Sequence, residues 1–148
     1  MNRDFAVTVE IAAPLERVWA VMTDVERWHE WTDSITSIEK LDRGPLAVGS
    51  RARVRQPRFA PAIWKVTELE PGRSFTWVSS VPGILVTATH SLVRAGRVTE
   101  ASLTLHYGGL LGGGLARVTQ NITERYLALE VAGLKHRSEN PATARARI

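Results

Sequence analysis

His90 lies in the middle of an alternating stretch, Val86-Thr87-Ala88-Thr89-His90-Ser91-Leu92. An imidazole on the apolar side of such a strand can donate to a ligand carbonyl or shuttle a proton, because its charge changes near neutral pH. Glu68, in Val66-Thr67-Glu68, is the candidate partner acid. Each has a plainer account: a buried histidine is normally satisfied by backbone or a neighbouring acid, and Glu68 is close enough to a turn to be solvated.

Trp28, Trp31, Trp64 and Trp77, with Tyr107 and Tyr126, have N–H and O–H groups that would orient a ring-bearing ligand if they walled a cavity. Core packing explains each as well. Gln56 and Ser79 are inward polar positions that would add specificity. Metal chemistry has little support: His29, His90, His106 and His136 are dispersed and there is no cysteine, so neither a zinc site nor any other metal or cofactor is expected. The run Gly108-Gly109-Leu110-Leu111-Gly112-Gly113-Gly114 precedes a helix but lacks the Lys-Ser/Thr ending of a phosphate loop, and is read as a connection. No Gly-x-Ser-x-Gly elbow occurs. Arg51, Arg53 and Arg55 form a basic stripe on one face of a strand, open to nucleic acid or an anionic surface but explained as readily by a solvated outer face opposite Ala52 and Val54.

The elements that must position these groups follow from periodicity. Phe5, Val7, Val9 and Ile11 alternate with Ala6, Thr8 and Glu10 as a first strand. Pro14 opens a helix carrying Leu15, Val18, Trp19 and Met22, and Thr23 with Glu26 forms a capping box for a second short helix with Val25, Trp28 and Trp31. From Ile35 to Tyr107 strand follows strand, broken at Asp42–Pro45, Gln56-Pro57, Pro71-Gly72, Pro82-Gly83 and Ala95-Gly96. A last helix, Leu110 to Lys135 and about 40 Å long, carries the stripe Leu115, Val118, Thr119, Ile122, Tyr126, Leu129 and Gly133. Residues 1–137 make one domain, and 138–148 a disordered basic tail.

Paired residues across a tight antiparallel turn have numbers of constant sum, which tests the faces. The Pro71-Gly72 turn opposes Trp64 to Ser79, Val66 to Trp77 and Glu68 to Phe75. The Pro82-Gly83 turn adds Val86, Ala88 and His90, and the Ala95-Gly96 turn adds Leu105, Leu103 and Ala101 in that order. All three turns give one inward face. It mixes large tryptophans with Ser79 and Ala88 and includes polar His90 and Glu68, which a cavity beneath the helix would accommodate, and the small residues are explained as readily by a close approach of the helix. The expected lining is Trp28, Trp31, Gln56, Trp64, Val66, Phe75, Trp77, Ser79, Val86, Ala88, His90, Leu103, Leu105, Tyr107, Ile122 and Tyr126.

At 148 residues, 44% hydrophobic and 23% charged, the chain has enough apolar material for one core. The net charge of +4 permits an anionic partner without arguing for one. The absence of cysteine, of a leader pattern after Met1 and of any run near the ~20 apolar residues of a membrane span points to the cytoplasm. Nothing in the pattern sets an oligomeric state.

Three stretches carry a family resemblance: PLERVWAVMTDVERWHEWTDSITSIEKL from Pro14, WKVTELEPGRSFTW from Trp64 to Trp77, and RYLALEVAGLKHR from Arg125 to Arg137. With the element order, they make residues 3 to 137 resemble the START-like (SRPBCC) superfamily, specifically its bacterial polyketide cyclase/dehydrase branch. The resemblance implies an α+β helix-grip fold, a curved antiparallel sheet of about seven strands around a long C-terminal helix. It also implies an apolar cavity for a small molecule, lipid- or polyketide-like, with catalysis only in some relatives. An enzyme of the cyclase or dehydratase kind using His90 is the alternative. No catalytic residue is carried over from the family.

Overall fold

The computed structural model describes residues 3–141. One antiparallel sheet has the order β1-β7-β6-β5-β4-β3-β2. Its strands are β1 (Asp4–Ile11), β2 (Ser37–Lys40), β3 (Arg51–Arg55), β4 (Ala62–Glu70), β5 (Ser74–Val81), β6 (Ile84–Ala95) and β7 (Val98–Gly108). Between β1 and β2 come α1 (Leu15–Thr23) and a 3₁₀ helix (Val25–Glu30); after β7 come α2 (Gly112–Val118) and α3 (Gln120–Glu139). β1 extends the meander β2 to β7 by pairing with β7, leaving β1 and β2 as the two edges of an open sheet, and α3 covers the inward face, which is the α+β helix-grip architecture.

Turn chemistry sets the register. Pro82-Gly83 is a two-residue loop with Gly83 at φ 84°, and it pairs Phe75 with His90, Trp77 with Ala88 and Ser79 with Val86, as expected. At the next hairpin the loop is Gly96-Arg97, one position later than expected, with Gly96 at φ 67°. A glycine of positive φ at the first central position followed by a residue of negative φ is the pattern of a type II′ hairpin loop. His90 therefore faces Leu103, Ala88 faces Leu105 and Val86 faces Tyr107, two residues from the expected pairing. An even shift keeps every side chain on its face.

The β4–β5 pairing corrects one face. Val66 meets Trp77 as expected, but Thr67 is an extra residue, and beyond it Glu68 pairs with Thr76 and Leu69 with Phe75. A bulge advances the strand by one and exchanges its faces. Glu68 is thus exposed, and Leu69 takes the inward place.

The terminal helix also departs from its expected form. It breaks at Thr119, whose hydroxyl donates back to the Leu115 carbonyl at 2.7 Å while its φ and ψ (−101°, 10°) leave the helical region. The break resets the phase: Val118 is 84% exposed, and the buried face of α3 is Thr123, Val131, Leu134 and Ser138 rather than the Ile122–Leu129 stripe. The expected capping box does not form. Thr23 donates to the Trp19 carbonyl, and Glu26 accepts from the Lys40 amide.

The helix also runs past the expected domain end. Ser138 is fully buried and Glu139 accepts from the Ala12 amide at 2.7 Å, so the tail cannot begin at 138; its remainder from 142 lies outside the described residues.

This C-terminal half of α3 is held hard against the body. Lys135 Nζ donates to the Glu10 carbonyl at 2.9 Å, Arg17 to the Ser138 carbonyl at 3.3 Å, and Arg137 pairs with Glu30. At Gly133 a Cβ would overlap the Trp31 carbonyl oxygen and stand 2.9 Å from its ring. Gly133→Ala is expected to destabilise by about 2 kcal/mol through overpacking, although the same change in an unpacked helix gains roughly 1 kcal/mol. Urea unfolding checks the sign; a midpoint equal to or above wild type refutes the close approach.

Candidate functional site

A cavity of about 360 Å³ lies between α3 and the inward face of β3 to β7. At one end it is bordered by exposed Pro61 and Val81; at the other it is closed by Trp28 and His90, 2% and 4% exposed. Trp28 reaches this position because the 3₁₀ helix turns its ring inward and its Nε1 donates to the Met22 carbonyl at 3.0 Å. Its ring centroid lies 5.6 Å from that of Trp77 and 5.3 Å from that of His90, so a short connection supplies the aromatic floor.

Most of the expected lining faces this space. Trp28, Gln56, Trp64, Trp77, Ser79 and Val86 border it. So do Ala88, His90, Leu105, Tyr107 and Tyr126. Five others do not. Val66, Phe75 and Leu103 point inward but are packed solid in the core; Phe75 lies flat on His90 with centroids 4.3 Å apart. Trp31 is beyond the floor, bordering a separate groove with Glu30, Asp33 and Arg137, because its backbone is taken up by Gly133. Ile122 misses the cavity because of the phase reset at Thr119. The acid candidate Glu68 is excluded by the bulge.

The acid that does reach the cavity is Glu130, on the face of α3 that also carries Thr123, Tyr126 and Leu127. Its Oε2 stands 3.9 Å from His90 Nε2, beyond hydrogen-bond reach, and the two side chains are 14% and 5% exposed. The signal for Glu130 was its spacing: it lies four residues after Tyr126 and seven after Thr123, on one side of the helix. An acid in a core-facing phase is, however, indistinguishable in sequence from a solvated one when that phase is set by a break.

Burial governs both charges. It pushes the Glu130 carboxyl up to about 8 and the His90 imidazole down to about 3; the Phe75 backbone offsets the latter, though His90 Nδ1 finds no partner of hydrogen-bond geometry. An ion pair at this distance would gain about 4 kcal/mol at an effective dielectric of 20. Desolvating each ion costs several kcal/mol. The uncharged pair therefore wins near neutral pH, leaving a carboxylic acid that can donate and an imidazole that can accept.

A family model described as polyketide cyclase/dehydrase and lipid transport matches residues 2–139. The chain belongs to that family. Solved structures agree on the fold. The Zhui aromatase/cyclase from Streptomyces sp. R1128 superposes with TM-score 0.77 at 17% identity, covering 95% of each chain. A START superfamily protein from Mycobacterium smegmatis gives 0.73 at 19% identity, over 92% of this chain and 99% of that one. A protein from Thermus thermophilus gives 0.73 at 21% identity, over 91% and 96%. No curated protein matches by sequence. Among the described residues no helix is long and apolar enough to cross a membrane, and no group of acids and histidines is placed to hold a metal ion.

The paired shifts predict a pH signature. Between the ordinary carboxyl value of 4.5 and about 8, the folded chain keeps on Glu130 a proton that the unfolded chain has released, so this contribution to stability is lost as pH rises through that window. For His90 the unfolded chain takes up a proton that the folded chain refuses, so stability falls as pH drops from 6.5 towards 3. Glu130→Gln removes only the first slope. Its melting temperature relative to wild type is expected to rise between pH 5 and pH 9 by at least about 5 °C; a difference constant across that range would refute the buried neutral acid.

Proposed function

We propose that the chain holds an apolar or aromatic small molecule, lipid- or polyketide-like, between α3 and the sheet. The observation that carries this reading is the space itself, about 360 Å³ and walled mainly by apolar and aromatic side chains. That volume is within the range of small-molecule sites. Apolar walls that face solvent through an opening leave burial and dispersion contacts for a guest to gain. The exposed border at Pro61 and Val81 offers it a way in. The family description, which joins polyketide cyclisation or dehydration with lipid transport, supports the same reading.

A second reading, an enzyme of the cyclase or dehydratase kind, is favoured by one observation: His90 has an acid 3.9 Å away inside the cavity. Glu130 replaces Glu68 in that role. A third, nucleic-acid binding through the arginine stripe, loses support because Arg51 is paired with Asp42 at 3.3 Å and Arg53 with Glu39 at 2.7 Å.

Binding is tested with a polarity-sensitive dye and its displacement by hydrophobic compounds. Ala88→Phe, which grows a ring into the cavity, is expected to lower dye affinity at least tenfold while circular dichroism stays native; unchanged affinity would place the dye elsewhere and defeat the proposal. For the enzyme reading, His90→Gln is expected to abolish turnover of a cyclisable β-ketone while leaving its binding intact, and undiminished turnover would dismiss His90 as acid or base.

A further inference from the structure

The cavity is poor in charge. None of its lining residues is lysine or arginine, and apart from the two tyrosines its titratable groups are His90 and Glu130. Most of its polar side chains are already engaged. Tyr107 and Thr123 share a hydroxyl–hydroxyl bond of 3.0 Å, Tyr126 donates to the Pro57 carbonyl, and Gln56 donates to the Ser34 carbonyl at 3.3 Å. The Ser34 hydroxyl is bonded to Thr32 at 2.7 Å, and the Trp28 indole to Met22.

What is left over, among the described residues, is Ser79, the indoles of Trp64 and Trp77, and the Glu130–His90 pair. The first three are spread along the wall. The last two face each other across 3.9 Å on opposite layers, one from α3 and one from β6, each having polar capacity that the other cannot satisfy at that distance. A single oxygen atom placed about 2.8 Å from both could accept from the acid and, if it carries a proton, donate to the imidazole.

We propose that this gap is an anchoring subsite that selects an uncharged ligand ending in a hydroxyl or ketone and rejects a carboxylate of the same shape. The inference rests on the reading of the cavity as a ligand host. The selectivity has a physical source. A hydroxyl partners both groups, accepting from the acid and donating to the imidazole, whereas a ketone partners the acid alone. A carboxylate brought to the same point would be stripped of water with no cation in the walls to receive it, beside a second carboxyl group. Free fatty acids and acyl phosphates are therefore poor guests, whereas phenols, secondary alcohols and ketones on an apolar skeleton are good ones.

Three probes of one shape separate the terms: 2-naphthol, 2-naphthoate and 2-methylnaphthalene, each titrated at pH 6.5 and followed by quenching of tryptophan fluorescence, for which Trp28, Trp64 and Trp77 are built into the wall. Naphthol is expected to bind at least about tenfold more tightly than either of the others, the scale of one satisfied buried hydrogen-bonding group. In Glu130→Leu the advantage of naphthol over methylnaphthalene disappears. Equal binding of naphthol and naphthoate, or a naphthol advantage that survives in Glu130→Leu, overturns the anchor while leaving the cavity reading in place. Failure of all three probes to bind overturns both. Should Glu130→Leu not fold, the wild-type ranking of the three probes decides the matter, with naphthoate at or above naphthol counting as refutation.

Discussion

The arrangement of α3 over the sheet depends on one close contact, the backbone of Gly133 against the carbonyl of Trp31. With no side chain at that point the helix touches the connection carrying the 3₁₀ helix, and the polar links from Arg137, Lys135 and Glu139 fasten the same end. The other half of α3 is joined to the body by two hydroxyl bonds, Thr123 with Tyr107 and Tyr126 with the Pro57 carbonyl, and leaves space between them. Its inward residues there, Thr123, Tyr126, Leu127 and Glu130, border open space. α3 packs chiefly against β1 and α1 and stands off the middle strands. The void is then a consequence of where the helix is fastened as well as of which side chains are small.

The same geometry decides the electrostatics. Trp28, Phe75 and Trp77 surround His90 on the sheet side, and α3 brings Glu130 down from above. With water thinned out on both sides, desolvation outweighs the attraction between opposite charges. Two residues that on a surface would form an ordinary ion pair become instead a neutral donor and a neutral acceptor held apart. The chemistry of the site follows from the packing of aromatic rings around it.

Much of this was legible in the residues. Period-two alternation and the Pro-Gly turns gave the strands, their order and, through Trp77, Ala88 and His90, the inward face. The hairpin error at Gly96 shifted β7 by two and cost nothing, since an even slip preserves faces. What escaped were features that local pattern does not encode. The bulge at Thr67 has no sequence mark, the helix break at Thr119 depends on a hydroxyl turning back to Leu115, and the close approach at Gly133 is a tertiary fact. Each of the three moved a functional candidate: Glu68 out, Glu130 in, and Trp31 to the far side of the floor.

The single unmatched residue on β4 also fixes how many acids the interior contains. In an unbroken ladder the parity of positions would carry Glu68 to the place held by Leu69, opposite Phe75 and two strands from His90. The core would then hold a second carboxyl group, set against the Phe75 ring with burial opposing its charge. One surplus link in the chain keeps that charge in solvent.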